Sequence, residues 1–204
     1  MKKMLLALIA GVLLTAAFNA VGQEQVEAPV HQEGDLWQFK VVEKGSISTS
    51  RAALAGMYEL SYSNGKVRVF ALEGDRKDEL ERKRPQLLTL LGLSDTLQDL
   101  KFPLSVGQKW KYEYQDPGGM TGVRFLRSVE VGVTGHEEVI TPAGTFRAFK
   151  IEKYDTGGTG GKVSRQVTIY FYSPRTKSVV KSLYESLVSG SQREIELIKF
   201  GSGR

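Results

Sequence analysis

Trp37, Phe39 and Val41 alternate with Gln38 and Lys40, and the same period of two returns along most of the chain. Alternation of this kind sends every second side chain to one face, which suits a half-buried strand and not a helix. Met57–Ser63 and Lys66–Leu72 show it on either side of Asn64-Gly65. Asn-Gly between two alternating runs marks a hairpin, because a type I′ turn needs positive φ at both central residues. A two-residue loop sets Tyr62 against Val67, Leu60 against Val69 and Tyr58 against Ala71. The apolar residues then share one face, and Ser61 and Arg68 share the other.

After Gly107 the pattern repeats strand after strand. Trp110, Tyr112 and Tyr114 alternate with Lys109, Lys111 and Glu113, and Gly118-Gly119 turns the chain into Val123–Val133. Glu137–Thr141 and Thr145–Lys153 flank Pro142-Ala143-Gly144, which predicts a three-residue hairpin loop with a bulge and sets Ile140 opposite Phe146. Phe146 and Ala148 face one side of the returning strand, and Phe149 and Ile151 the other, so that strand is covered twice. Gly157–Gly161 reads as a flexible loop, followed by strands over Val163–Tyr172, Ser178–Val188 and Arg193–Phe200. Glu73–Arg84 is dense in charge and reads as a solvated loop or exposed helical turn. Pro85 and Gly92 bracket Gln86–Leu91, a short helix by the usual placement of proline and glycine. The expectation is an all-β protein: an antiparallel curved sheet, sandwich or partial barrel of about ten strands with one short helix.

One frame occurs twice. Gly34-Asp35-Leu36-Trp37-Gln38-Phe39 and Gly107-Gln108-Lys109-Trp110-Lys111-Tyr112 share Gly-x-x-Trp-x-aromatic, and they hold both tryptophans of the chain. This suggests a single β domain, 34–204, built of two related units, 34–72 and 107–200, joined by the charged loop and short helix of 73–106. A flexible leader, 23–33, with a solvated His31, precedes them.

Lys2 and Lys3 precede an uncharged run, Met4–Phe18, and Ala20 and Gly22 fit the small-x-small rule. Met1–Gly22 therefore reads as a cleavable signal peptide with the mature chain starting at Gln23. A membrane span needs about 20 apolar residues, and Asn19 interrupts this run. The 28 basic residues less Lys2 and Lys3, against 23 acidic ones, leave a mature charge of +3. A mild excess spread along the chain is no nucleic-acid footprint. The chain has no cysteine. Disulfides and a lipid-bearing cysteine are both excluded, which points to a periplasmic or secreted protein held together by burial alone.

Three segments carry a resemblance: Phe102-Pro103-Leu104-Ser105-Val106-Gly107-Gln108-Lys109-Trp110-Lys111-Tyr112, Thr141-Pro142-Ala143-Gly144-Thr145-Phe146, and Tyr170-Phe171-Tyr172-Ser173-Pro174. In that order they resemble the uncharacterised TapB-like bacterial envelope β-domain proteins, over roughly residues 102–185. The resemblance implies an exported β domain and brings no catalytic residues. Many members are similar to lipoproteins, and this chain departs from them in lacking cysteine.

Chemistry-bearing patterns are few. With two histidines 105 residues apart and no cysteine, a zinc site lacks ligands. No Gly-x-Ser-x-Gly elbow, phosphate loop or calcium loop is present. His136 with Glu137 or Glu138 is the one arrangement that suggests a hydrolase. Trp37, Trp110, Tyr112, Tyr114, Tyr170 and Tyr172 stand at strand spacing and are the candidate ligand-binding residues, either as core or as the lining of an apolar pocket. The functional expectation is an exported, non-enzymatic envelope module binding an apolar small molecule or a protein partner, with no cofactor, metal or nucleic acid. The alternatives are the His136 hydrolase and a purely structural subunit of an envelope complex, which would show a large exposed apolar patch.

Overall fold

The computed structural model describes residues 25–45, 54–80, 87–88, 91, 93, 98–116, 125–159 and 162–203. The leader Met1–Gly22 and the Gly118-Gly119 turn lie outside these residues. Twelve strands form among them: β1 (Gln25–Val26), β2 (Leu36–Lys44), β3 (Gly56–Ser63), β4 (Lys66–Glu73), β5 (Arg76–Glu79), β6 (Leu104–Ser105), β7 (Lys109–Asp116), β8 (Phe125–Thr141), β9 (Gly144–Thr159), β10 (Lys162–Ser173), β11 (Ser178–Ser186) and β12 (Gln192–Gly201). Ten make one antiparallel sheet in the order β5-β4-β3-β2-β12-β11-β10-β9-β8-β7. Two meanders, β2–β5 and β7–β12, are thus joined along the ladder between β2 and β12. The separate β1–β6 ribbon pairs Val26 with Leu104. The fold is all-β, as the alternation requires.

The Asn64-Gly65 hairpin has the expected register: Tyr62 faces Val67, Leu60 faces Val69 and Tyr58 faces Ala71. Asn64 and Gly65 have φ of 53° and 74°, the pair of positive values a type I′ turn demands.

Two cores hold the sheet. The first gathers Trp37, Phe39, Leu60, Ile195 and Leu197 with Leu87 and Leu91 from the connecting segment. The second gathers Val129, Val131, Val133, Tyr170 and Tyr172 under Leu100 and Leu104. Strand β9 serves both. Phe146 and Ala148 enter the first core, and Phe149 and Ile151, on the strand's other side, enter the second. At the tip of the β8–β9 hairpin, the Ala143 amide donates to the Leu197 carbonyl at 3.2 Å. The β12 ladder slips between Leu197 and Lys199, and the hairpin tip docks beside that bulge.

Several expectations are corrected. The loop at Pro142-Ala143 has two residues. Thr141 faces Gly144, so Ile140 faces Thr145 and Val139 faces Phe146. This register buries Val139 with Phe146 and leaves Ile140 exposed. The described part of the expected Val123–Val133 strand and Glu137–Thr141 are not separate strands: β8 runs from Phe125 through both, slipping by one residue between Val133 and Gly135. Of the charged run, 81–84 lies outside the described residues, and Arg76–Glu79 is an exposed edge strand and not a loop. A Gly74-Asp75 turn lays Arg76–Glu79 along β4, with Arg68 bonded to Glu79 and Lys77 over the Phe70 ring at 4.1 Å. Charge suits this position because both faces of so short an edge strand are wet. Of the short helix the structure describes Leu87, Leu88 and Leu91, where the Leu91 amide donates to the Leu87 carbonyl.

The leader 23–33, expected to be flexible, is pinned where it is described. Val26 packs against the second core. His31 is half-buried, with its ring edge-on to Trp37 at 5.4 Å and tilted against Tyr62 at 5.6 Å.

Candidate functional site

The six aromatic candidates do not form one site. Trp37 lies fully buried in the first core, its indole N–H donating to the Thr176 carbonyl at 2.7 Å. The other five, Trp110, Tyr112, Tyr114, Tyr170 and Tyr172, come together at the second core. Register explains this. Trp110, Tyr112 and Tyr114 stand opposite Val131, Val129 and Arg127 of β8, which stand opposite Lys153, Asp155 and Gly157 of β9.

Their polar ends are satisfied from within the chain. Asp99, buried on the segment that crosses this face, accepts hydrogen bonds from the Tyr112 hydroxyl, from the Tyr170 hydroxyl at 3.0 Å and from Lys153 Nζ at 2.8 Å. Asp155 accepts from Arg127 Nε at 2.7 Å and from the Tyr114 hydroxyl at 3.1 Å. Trp110 Nε1 donates to the Gln98 carbonyl. Burial pushes the Tyr112 phenol well above the ordinary tyrosine range, and the charge and hydrogen bond of Asp99 push it further. The same causes act on Tyr170, and burial alone raises Tyr172. A carboxylate that accepts from a phenol stabilises its neutral form. None of the three is poised to act as a base near neutral pH.

Sequence reasoning missed Asp99, Lys153, Arg127 and Asp155. Arg127 has room because of Gly157, the next residue along its row. A Cβ there would come within 3.0 Å of Arg127 Cγ and of the Leu126 carbonyl. Gly157 and Gly158 therefore lie in the β9–β10 ladder, opposite Ser164 and Val163, and do not belong to a flexible loop.

His136 lies within a strand. It sits in β8 opposite Phe149, the two rings stacked 4.4 Å apart with 11° between their planes. Alternation sends the neighbouring Glu137 to the other face of the strand, and Glu137 and Glu138 are both exposed. Among the described residues no group of three or more His, Asp or Glu side chains could hold a metal ion.

Open space lies elsewhere. A cleft of about 320 Å³ crosses β2, β12, β11 and β10, with Val42, Val167, Ile169 and Leu183 as its apolar lining and Lys44 and Glu194 among its polar groups. Val167 and Ile169 alternate with Thr168 and Tyr170, so the cleft opens on the face of β10 turned away from the tyrosine cluster. Register assembles it: Val42 stands opposite Glu194, Glu194 opposite Leu183, and Leu183 opposite Ile169. The individual apolar residues were visible in the sequence, but their coming together across four strands was not.

No family model and no curated protein matches this chain. Solved structures similar to it include an inferred lipoprotein from Parabacteroides distasonis, 11% identical, over 88% of this chain and 100% of that one, with a TM-score of 0.44. An inferred exported protein with a YmcC-like fold from Bacteroides fragilis is 14% identical over 87% of this chain and 100% of its own, with a TM-score of 0.36. The hypothetical lipoprotein YmcC of Escherichia coli is 11% identical over 87% of this chain and 92% of its own, with a TM-score of 0.36.

Among the described residues, no helix is long and apolar enough to cross a membrane.

Proposed function

We propose that the chain is an exported, non-enzymatic module of the bacterial envelope that holds an apolar small molecule in the cleft across β2, β12, β11 and β10. The observation that carries this reading is the division of labour between the two faces of β10. The aromatic face is filled by its own side chains, with Asp99 and Asp155 occupied by tyrosine hydroxyls and cations. The other face keeps an open cleft lined by Val42, Val167, Ile169 and Leu183. Its volume of about 320 Å³ is at the small end of the range for ligand sites, about 300–1,000 Å³. Export rests on the basic, apolar and small-residue leader and agrees with the TapB-like resemblance.

A protein partner at the same cleft is the second reading. It is favoured by Leu187 and Val188, 56% and 65% exposed on the β11–β12 turn, next to the cleft residues Glu185 and Gln192.

Titration with N-phenyl-1-naphthylamine, a neutral apolar fluorophore, tests the first reading. The expected result is saturable uptake at one site, weakened about tenfold or more by Leu183→Arg, which sets a charge in the apolar lining, and unchanged by Trp110→Phe on the other face. No saturable uptake, or equal uptake by Leu183→Arg, overturns it. Cross-linking to one envelope protein that is lost in Leu187→Glu/Val188→Glu would then speak for the protein contact.

A further inference from the structure

The two edges of the ten-stranded sheet are unlike. β5 is four residues long and every one is charged, Arg76-Lys77-Asp78-Glu79, a blunted edge that resists further pairing. β7 is eight residues long, Lys-Trp-Lys-Tyr-Glu-Tyr-Gln-Asp, and among the described residues it pairs with β8 alone. Among the described residues, no backbone hydrogen bond leaves its outer edge.

That edge is complementary to itself. Let a second copy of β7 lie antiparallel to the first, centred on Tyr112. Lys111 then stands opposite the other copy's Glu113, Trp110 opposite Tyr114 and Lys109 opposite Gln115, each contact made twice. Directly opposed residues share a face and lie close enough to interact, and opposite charges and aromatic pairs are both favourable there. Both ion pairs fall on the face of Lys111 and Glu113, which are exposed, and both aromatic pairs extend the half-buried row of Trp110 and Tyr114. A slip of two residues one way sets Lys111 against its own copy, and a slip the other way sets Glu113 against its own. Like charges directly opposite are destabilising, so the sequence selects one register. Lys111, bonded to Glu130 within its chain, would lie between two carboxylates.

We infer that β7 joins two copies of this chain, edge to edge about a two-fold axis, into one continuous sheet of twenty strands. A contact of this kind uses the same surface on both partners and closes on itself. It is independent of the cleft on β10.

Sedimentation equilibrium on protein purified from an exporting host tests it. The wild type is expected to dimerise at micromolar concentration. Lys111→Glu sets two acids against Glu113, and Glu113→Lys sets two bases against Lys111, so each weakens the dimer about tenfold. The exchange Lys111→Glu/Glu113→Lys restores it, which loss of folding in the single variants could not explain. Because the chain has no cysteine of its own, Lys111→Cys/Glu113→Cys gives a second reading: oxidation should link two chains covalently. A monomer at every concentration with no cross-link overturns the inference, as does a dimer indifferent to both charge reversals.

Discussion

Gly34 and Gly107 occupy the same corner of the same turn, 73 positions apart in the chain, with φ of 87° and 91°. The Asp35 amide donates to the Gln32 carbonyl, as the Gln108 amide does to that of Ser105. The Gly34 amide donates to Tyr62 of β3, the Gly107 amide to Val133 of β8, and each of those residues donates back to the residue after the glycine. Even the side chains correspond: Asp35 accepts from the Gln32 amide, and Gln108 from the Ser105 amide. A residue with a Cβ is strained at such φ by about 1–2 kcal/mol. Gly34→Ala and Gly107→Ala should each lower stability to urea by about that much. Gly135→Ala should be nearly neutral, since no positive φ holds there and a Cβ would meet nothing within 4 Å.

Asp99 binds three strands at once through Tyr112, Tyr170 and Lys153. Asp99→Ala leaves two tyrosine hydroxyls and the half-buried Lys153 ammonium without their shared acceptor and should cost about 1–3 kcal/mol in urea unfolding.

The same cluster sets an alkaline limit. Tyr112 and Tyr170 keep their protons in the folded chain above the ordinary tyrosine value of about 10. Above that pH the unfolded chain loses protons first, so the folded chain binds more of them. Stability conferred by the two phenols is complete below about pH 10 and falls as pH rises past it. Urea midpoints between pH 8 and 11 should show the decline, and Tyr112→Phe/Tyr170→Phe should flatten it.

At the acid end one contributing group is Asp35, with its side chain fully buried. Burial alone raises its carboxyl, but hydrogen bonds from the Gln32 and Gly203 amides and from Lys177 outweigh that and hold it below the ordinary value of 3.8. The stability it confers is therefore present above about pH 4 and lost as pH falls below it. Asp35→Asn should cost about 1–3 kcal/mol at neutral pH and show a shallower loss in acid melts than the wild type.

The hairpin at Asn64-Gly65 was legible residue by residue because turn chemistry and alternation demand one register. Arg76–Glu79 was misread because four successive charges speak of solvent, and an edge strand wet on both faces satisfies that demand as well as a loop does. Gly157 was misread because glycine signals freedom, whereas here it signals the close passage of Arg127. Nothing local could have paired Asp99 with Tyr170, 71 positions away, since a lone acid between Gln98 and Leu100 looks like any loop residue. The cleft escaped for the same reason: Val42, Leu183 and Ile169 meet only because β2 pairs with β12.

The space beside Arg127 can be tested directly. A Cβ at Gly157 meets backbone as well as side chain at 3.0 Å, so the neighbour cannot simply rotate away. Gly157→Ala should destabilise by about 1–3 kcal/mol, against the usual small gain expected where a glycine is replaced in an open strand.

The ion pair between Arg127 and Asp155, with both side chains more than nine-tenths buried, shows which of two opposed effects dominates at the second core. Removing one charge from such a pair strands the other in a poorly polarisable site, and the typical loss is about 3–5 kcal/mol. Replacing both with apolar side chains removes the desolvation penalty together with the attraction, so the net change is often small. Asp155→Leu alone also takes the acceptor from the Tyr114 hydroxyl, and should be the worst of the set. Arg127→Met/Asp155→Leu should recover most of that loss, leaving the cost of the hydrogen bond that the Tyr114 hydroxyl gave to Asp155, about 1 kcal/mol. Urea unfolding of the two single variants and the double one closes the cycle. A double variant as unstable as the sum of the singles would mean that the pair contributes through packing and not through charge.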